Sequence, residues 1–307
     1  MMDIKIVKQG KASNFFYHTA GFAILLLNKL RRSVTGYTGA RNFPVSDFKQ
    51  AIEYDFSIVG WWIDFLKIYT GEKADLKGKI ILELGPGDDL GIGLITLMKG
   101  AKKYNAMDVN YLVKAVPEEF YDKLFDHMKT IDNETPDINF LKSQIELTRK
   151  GKNDRLNYVC RADFDLSIFR DEGIDLVLSQ AAFEHFEDVA KTIAQLSKVV
   201  KSRAMLITTI DLMSHTKLIR DSDPLNIYRF SDFTYRQFKH AGLPNRLRPF
   251  EYVELLEKSG WYNIKTLPLI TLDEESLLKV QPSLSKRFRG KENQMEYLSF
   301  LLCATKK

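Results

Sequence analysis

The stretch Glu83-Leu84-Gly85-Pro86-Gly87-Asp88-Asp89-Leu90-Gly91 constrains the fold of this 307-residue chain more than any other. The apolar run 79–84 breaks at two glycines around a proline and gives way to a helix-suited run through Met98, with Gly100 as its stop. A strand, a tight turn and a helix in that order open a βαβ unit. Glycines let a ligand approach the backbone, and the start of the helix offers unpaired N–H groups. Asp88 or Asp89 is placed to cap the helix. The third glycine comes one residue late for the dinucleotide fingerprint GxGxxG, and the two aspartates would repel a diphosphate. A ligand that is cationic where it meets the loop fits better.

From residue 79 onward, short apolar runs alternate with longer amphipathic ones. Strands are expected at 79–84, 104–109, 155–160, 174–178, 204–210, 262–267 and 297–305, and helices at 117–128, 139–148, 189–199 and 250–259. The last two strands are joined by what reads as a polar loop. The fold class is therefore α/β, a doubly wound, seven-stranded, mostly parallel sheet of the Rossmann-like kind. Residues 1–75 read as an N-terminal helical extension or lid, and 76–307 as one domain with a helical insertion at 111–154. The aromatic stripe Tyr54, Phe56, Trp61, Trp62, Phe65 and Tyr69 reads as one packed helix face.

Charge excludes little, since 45 Lys and Arg against 40 Asp and Glu leave a net +5 on a long chain. That suits an anionic substrate without demanding nucleic acid. The basic run 286–291 carries a single interleaved aromatic and reads as a solvated loop. Two cysteines with no Cys/His spacing indicate neither a disulfide framework nor a metal site, so a reduced, cytoplasmic protein is expected. No apolar run reaches the ~20 residues of a membrane span. Residues 15–32, apolar and then basic, read as a lid or dimer helix, with peripheral membrane contact as the alternative. The oligomeric state is left open.

The acid Glu83, two residues ahead of Gly85-Pro86-Gly87, gives this strand end its character. At these residues the chain, over roughly 76–307, resembles the class I S-adenosylmethionine-dependent methyltransferases, whose first motif is an apolar strand, an acid and then GxG. The resemblance implies S-adenosyl-L-methionine as cofactor, its methionine half wrapped by Glu83, Gly85 and Gly87. Asp108 ends the second strand about twenty residues on, the spacing at which a carboxylate reaches ribose hydroxyls in doubly wound folds, and the family carries an acid there. By the same resemblance Asp163 and the Phe164 backbone meet the adenine, with Asp165 competing for that role, and Ser179 joins the cofactor edge.

After the fourth strand comes Ser179-Gln180-Ala181-Ala182-Phe183-Glu184-His185-Phe186. Residues just past the carboxyl ends of parallel strands line the ligand crevice, so Glu184 and His185 are expected beside the reacting methyl. Methyl transfer relies mainly on alignment, and a base is needed only for a protonated acceptor such as a hydroxyl. Histidine suits that task. The run 182–186 also resembles the cyclopropane-forming lipid methyltransferases, but Thr208 stands where those enzymes use a histidine. Asp211 and His215, four apart, form a second acid/base pair. The segments Ile210-Asp211-Leu212 with His215, and Asn245-Arg246-Leu247-Arg248, resemble a bacterial branch of small-molecule methyltransferases. Arg246 and Tyr228 are taken as substrate-binding candidates.

The expected activity is methyl transfer to a small-molecule acceptor at a hydroxyl oxygen, on a glycan precursor or secondary metabolite. The alternatives are a lipid-directed methyltransferase at a membrane surface and an NAD(P)-binding oxidoreductase on a similar sheet. A non-catalytic binding protein is disfavoured by the intact acids. A nucleic-acid or protein methyltransferase is disfavoured because Ser-Gln-Ala-Ala stands where an Asn-Pro-Pro-Tyr-like tetrad would be.

Overall fold

In the computed structural model, residues 3–35, 47–71, 74–131, 136–240 and 242–307 are described. Among them, eight strands share one sheet: β1 (Lys5–Val7), β2 (Ile80–Leu84), β3 (Lys103–Asp108), β4 (Leu156–Cys160), β5 (Ile174–Gln180), β6 (Val200–Asp211), β7 (Trp261–Leu272) and β8 (Tyr297–Lys306). Their order is β1-β7-β8-β6-β5-β2-β3-β4, and the pairs β1/β7, β2/β3, β2/β5 and β3/β4 run parallel. All seven expected strands are present in an α/β fold. The eighth, β1, has three residues, too few for a period-2 pattern to show.

The helices are α1 (Asn14–Thr35), α2 (Phe48–Thr70), α3 (Gly91–Met98), α4 (Glu118–Lys129), α5 (Ile138–Arg149), α6 (Val189–Val199), α7 (Lys217–Arg220), α8 (Asp232–Gln237), α9 (Pro249–Lys258) and α10 (Glu274–Val280). The segment between the last two strands is therefore no simple polar loop. Strand β7 continues to Leu272, and α10 follows, capped by Asp273, which accepts from the Ser276 N–H at 3.0 Å.

The chain divides into two compact units. One holds residues 39–180, 194–208 and 303–307, the other 1–38, 181–193 and 209–302. Thus α2 lies in the first and α1 in the second.

In the first unit, β2 and β3 are buried along nearly their whole length, as parallel strands covered on both faces are. Chain order reverses between β5 and β2, where strands diverge to either side, and ligands of open α/β sheets bind at the carboxyl ends of such a switch point. A polar ladder crosses the sheet: Asn157 Nδ2 donates to Asn105 Oδ1 at 2.9 Å, and Asn105 Nδ2 to the Ile81 carbonyl at 3.2 Å. The α2 stripe is core at Trp62, Phe65 and Tyr69, together with Ile58 and Val59, whereas Trp61 is half exposed off the stripe. Asp47 caps the start of α2, and Gly71 ends it in the left-handed region at φ 73°. The insertion docks through buried Gln144 on α5, whose Oε1 accepts from the Arg155 and Leu156 N–H groups at 2.9 and 3.1 Å.

The second unit is organised around a fully buried ion pair. Arg229 donates to Asp223 through Nε at 2.7 Å and Nη2 at 3.0 Å, and its Nη1 reaches Asn14 at the head of α1 at 3.0 Å. Arg248, also fully buried, donates to the carbonyls of Asn293, Gln294 and Tyr297 at 2.8, 2.6 and 3.0 Å. In the basic run, Arg287 pairs with Asp232 and Glu251, and Arg289 donates to the Leu284 and Pro282 carbonyls. No helix among the described residues is long and apolar enough to cross a membrane.

Close packing sets opposite expectations for two helical glycines of the first unit. A Cβ on Gly93 of α3 would stand 2.6 Å from Tyr104 Cε1 and 2.8 Å from Leu156 Cδ1, while one on Gly60 of α2 meets nothing within 4 Å. Gly93→Ala should lower unfolding free energy by about 1–3 kcal/mol through overpacking. Gly60→Ala should raise it by about 0.5–1 kcal/mol through helix propensity. Urea denaturation of the two variants checks both signs.

Candidate active site

The carboxyl edge of β2, β3, β4 and β5 collects the expected cofactor residues of the first unit. At the end of β2 the chain turns through Gly85 and Gly87, both left-handed at φ 73° and 84°, where a side chain would be strained. The Gly85 N–H donates to the Met107 carbonyl at 2.9 Å, tying the turn to β3. Beneath it, buried Glu83 accepts from the Tyr104 hydroxyl. Burial and the Glu83 charge raise the Tyr104 phenol well above its ordinary value, so it remains a donor. The α3 start is organised by Asp89, whose Oδ1 accepts from the Gly91 N–H at 2.7 Å; the helix N-cap itself is Leu90. Ser179 at the end of β5 donates its hydroxyl to the Leu84 carbonyl at 2.9 Å, so it braces the strand end that carries the loop.

Asp108 closes β3 nearly buried, its Oδ1 accepting from the Asn110 N–H at 2.8 Å. Burial pushes its carboxyl up to about 6, against the opposing pull of backbone N–H groups from Asn110, Val109 and Gly87. Asp163, beyond β4, is exposed and held by Arg161 through a two-bond fork at 2.9 and 2.6 Å. Phe164 is left-handed at φ 48°. Asp165 accepts from the Ser167 N–H and hydroxyl, capping the turn at 166–169.

A separate cluster lies within the second unit. Ala181 is left-handed at φ 50° and donates its N–H to the Thr209 carbonyl at 3.0 Å. The 3₁₀ turn Phe183–His185 follows, clamped by Asn245, which donates its backbone N–H to the Glu184 carbonyl at 2.7 Å and its side-chain amide to Phe183 at 2.9 Å. Glu184 is 1% exposed. Its Oε1 accepts from the Asp211 N–H at 3.3 Å and stands 3.8 Å from His215 Nε2. The other nitrogen of His215, Nδ1, bonds the Met213 carbonyl at 2.8 Å. The His185 and His215 rings meet edge to face at 4.7 Å. Asp211 accepts from the Met213 N–H at 2.9 Å and from Arg220 at 2.6 Å.

Burial raises the Glu184 carboxyl above its ordinary range. Burial and neighbouring His215 lower His185 to about 3, so this imidazole is neutral. For His215, burial disfavours the charge, but Glu184, Asp211 and the Met213 carbonyl together outweigh it and raise the ring above the ordinary imidazole value. The four expected acid/base residues are thus brought into one cluster.

Residues 122–208 match the family model described as a methyltransferase domain. The match covers less than a third of the chain. No curated protein matches it. Among solved structures, an S-adenosylmethionine-dependent methyltransferase from Mesorhizobium loti is 14% identical, covering 78% of this chain and 96% of that one at a TM-score of 0.40. The CurJ carbon methyltransferase is 13% identical, covering 95% and 68% at 0.46. A phosphoethanolamine N-methyltransferase from Haemonchus contortus, in complex with S-adenosyl-L-methionine, is 15% identical, covering 83% and 52% at 0.41.

The first unit's edge fits S-adenosylmethionine, the cofactor that the resemblance of the sequence implies. The turn at Gly85 and Gly87 leaves backbone bare for the methionine half, and Asp108 presents a carboxylate held by backbone N–H groups. The substrate candidates of the sequence are placed elsewhere than an open surface. Arg246 donates to the Ile227 and Phe230 carbonyls at 3.0 and 2.8 Å and pairs with Asp232, stacked 3.9 Å over the Tyr235 ring. Tyr228 is buried, its hydroxyl donating to the Leu212 carbonyl at 2.9 Å.

Three residues escaped the sequence reading. Tyr104 hides as an ordinary strand aromatic. Asp55 is a fully buried acid on α2, and a Cβ on Gly91 would stand 2.0 Å from its Oδ2. A lone acid inside an aromatic helix face was the available signal. Arg220 joins the second cluster with no local pattern to mark it, and Asn245, singled out only as part of its segment, joins as the clamp on the Glu184 turn.

Proposed function

We propose that this chain is a class I S-adenosylmethionine-dependent methyltransferase that transfers the cofactor's methyl group to a hydroxyl oxygen of a small molecule, with the Glu184, His185, His215 and Asp211 cluster acting on the acceptor. The observation that carries the reading is the convergence of two imidazoles and two carboxylates within one unit, with Glu184 almost wholly buried. Amine acceptors arrive as free bases often enough to need only alignment, whereas a hydroxyl must lose a proton as its oxygen attacks. When bound, the cofactor supplies an electrophilic methyl on a positively charged sulfur. Glu83 and Tyr104 hold the glycine turn in shape for the methionine half, Asp108 accepts from the ribose hydroxyls, and Asp163 with the Phe164 backbone meets the adenine. His215, oriented by the Met213 carbonyl through Nδ1, presents Nε2 toward Glu184 and takes part in receiving the hydroxyl proton.

A lipid acceptor is the second reading, and it rests on α1. This helix leaves Phe15, Phe16, Leu27, Leu30 and Val34 more than half exposed and ends in a basic segment. Assigning the segments around Asp211 and Asn245 to the small-molecule branch remains part of the same proposal.

Two measurements test it. The chain is incubated with cofactor carrying a ¹³C methyl and a panel of hydroxylated sugars, phenols and anionic lipid vesicles. An O-methyl carbon resonance in a soluble product is expected. Label in an N-methyl or C-methyl group overturns the oxygen acceptor, and label confined to the vesicle lipid selects the second reading.

The other measurement concerns Asp108. Its ionised form is the acceptor for ribose hydroxyls, and its carboxyl titrates at about 6. Cofactor affinity should therefore be flat above that pH and fall about tenfold per unit below it. Asp108→Asn should weaken binding at pH 7.5 by about 1–3 kcal/mol and abolish the step. Calorimetric titration between pH 5 and 8 reads both, and an unchanged profile removes Asp108 from the ribose.

A further inference from the structure

The second unit's cluster has a property that acid/base chemistry leaves unexplained. Glu184, His185 and His215 each bring one ligand-type atom to positions within 4.8 Å of one another. Two polar atoms in this group, Glu184 Oε2 and His185 Nδ1, are buried with no hydrogen-bond partner. Buried polar groups in folded proteins are nearly always satisfied by protein, water or an ion. Two orphans on adjacent residues, one of them on a side chain 2% exposed, indicate that something else completes the site.

We propose that Glu184, His185 and His215 form a binding site for a divalent cation of the zinc class. The donor set is two imidazole nitrogens and one carboxylate oxygen, which zinc, cobalt and neighbouring transition ions accept, and which magnesium and calcium, as oxygen-preferring ions, do not favour. Atoms no more than 4.8 Å apart lie within about 2.8 Å of a common centre. Inward shifts of about 0.7 Å would bring each to the ~2.1 Å of a nitrogen or oxygen ligand. Rotamer adjustments of surrounding side chains cover such a distance.

The surrounding groups do what outer partners of metal ligands do. The His215 Nδ1–H donates to the Met213 carbonyl at 2.8 Å, which leaves the Nε2 lone pair facing Glu184. His185 is bonded to the Gly242 backbone and keeps Nδ1 without a partner. Glu184 Oε1 accepts from the Asp211 N–H, so its carboxylate plane is set by the end of β6. Asp211 itself is held away from ligation by Arg220 and the Met213 N–H. Three protein ligands leave at least one coordination position open, as in catalytic zinc sites, for water or an oxygen of another molecule. A hydroxyl bound there would lose its proton to solvent at a lower pH than in water, so that with the cation in place His215 Nε2 would serve as a ligand and not as the proton acceptor. That last role rests on the proposed hydroxyl acceptor, whereas binding of the cation does not.

The experiment uses the full chain freed of metal by chelation and titrated with Co²⁺. One equivalent should bind and develop visible d–d absorption, and Zn²⁺ should displace it. Glu184→Gln and His215→Asn should each weaken Co²⁺ binding by about 10–100-fold while retaining the far-ultraviolet spectrum and cofactor binding of the unaltered chain. His127→Ala, which changes a histidine of the other unit, should bind like the unaltered chain. If a cluster variant fails to fold, His185→Gln carries the same expectation. Absence of Co²⁺ absorption in the unaltered chain, or variants that bind equally well, overturns the site. Cobalt bound with full stoichiometry by a chain that methylates only nitrogen or carbon supports the site and refutes the hydroxyl reading. Hydroxyl methylation by a chain that binds no cobalt does the reverse.

Discussion

Buried carboxylates set the terms on which this protein folds. A carboxylate taken out of water must be given donors or keep its proton, and the chain resolves that demand differently at each position. Asp223 receives a guanidinium fork from Arg229 inside the second unit, with neither group exposed. Glu83 receives a phenol from the neighbouring strand. Asp89 receives the first N–H of a helix. Asp108 receives backbone N–H groups that fall short of offsetting its burial, and its affinity for protons rises. Glu184 is satisfied on one oxygen and left open on the other. Chemistry is proposed for two members of the series, Asp108 and Glu184.

The arginines complete this pattern. Arg229, Arg246 and Arg248 donate mostly to carbonyls and carboxylates of their own unit, and each lies within reach of an aromatic ring. A planar fork with several fixed donors ties together loops that have no sheet or helix ladder to share. Three of the 45 Lys and Arg residues are thereby committed to the fold. The net +5 is thus a poor guide to any anionic ligand.

Most of the sheet was legible in the sequence because parallel strands covered on both faces read as apolar runs bounded by glycine or polar breaks. Residues 79–84 and 174–178 are of this kind, and β2 and β5 lie there. Strand β1 was illegible, since three residues on a sheet edge carry no period. The helix α10 was hidden in a polar stretch because its cap and its acidic first turn look like loop composition. At the candidate site, the glycine turn, Asp108 and the Glu184-His185 pair stand out through local pattern. Contributions from distant segments, such as Tyr104 to Glu83 or Arg220 to Asp211, depend on pairing in space that no window of sequence contains. Arg246 shows the converse: a fork suited to anions in sequence is spent on backbone carbonyls once the second unit packs.

Ala181 carries a consequence of another sort. It holds a left-handed backbone without being glycine, directly ahead of the turn that bears Glu184 and His185. Strain of this kind costs of order 1–3 kcal/mol and persists where surrounding structure over-determines the conformation. A glycine would relieve the strain, yet would also loosen the segment that positions Glu184 and His185. For anyone breeding a hardier version of the protein by random change, this position offers a gain in thermal tolerance that trades against fidelity of the turn.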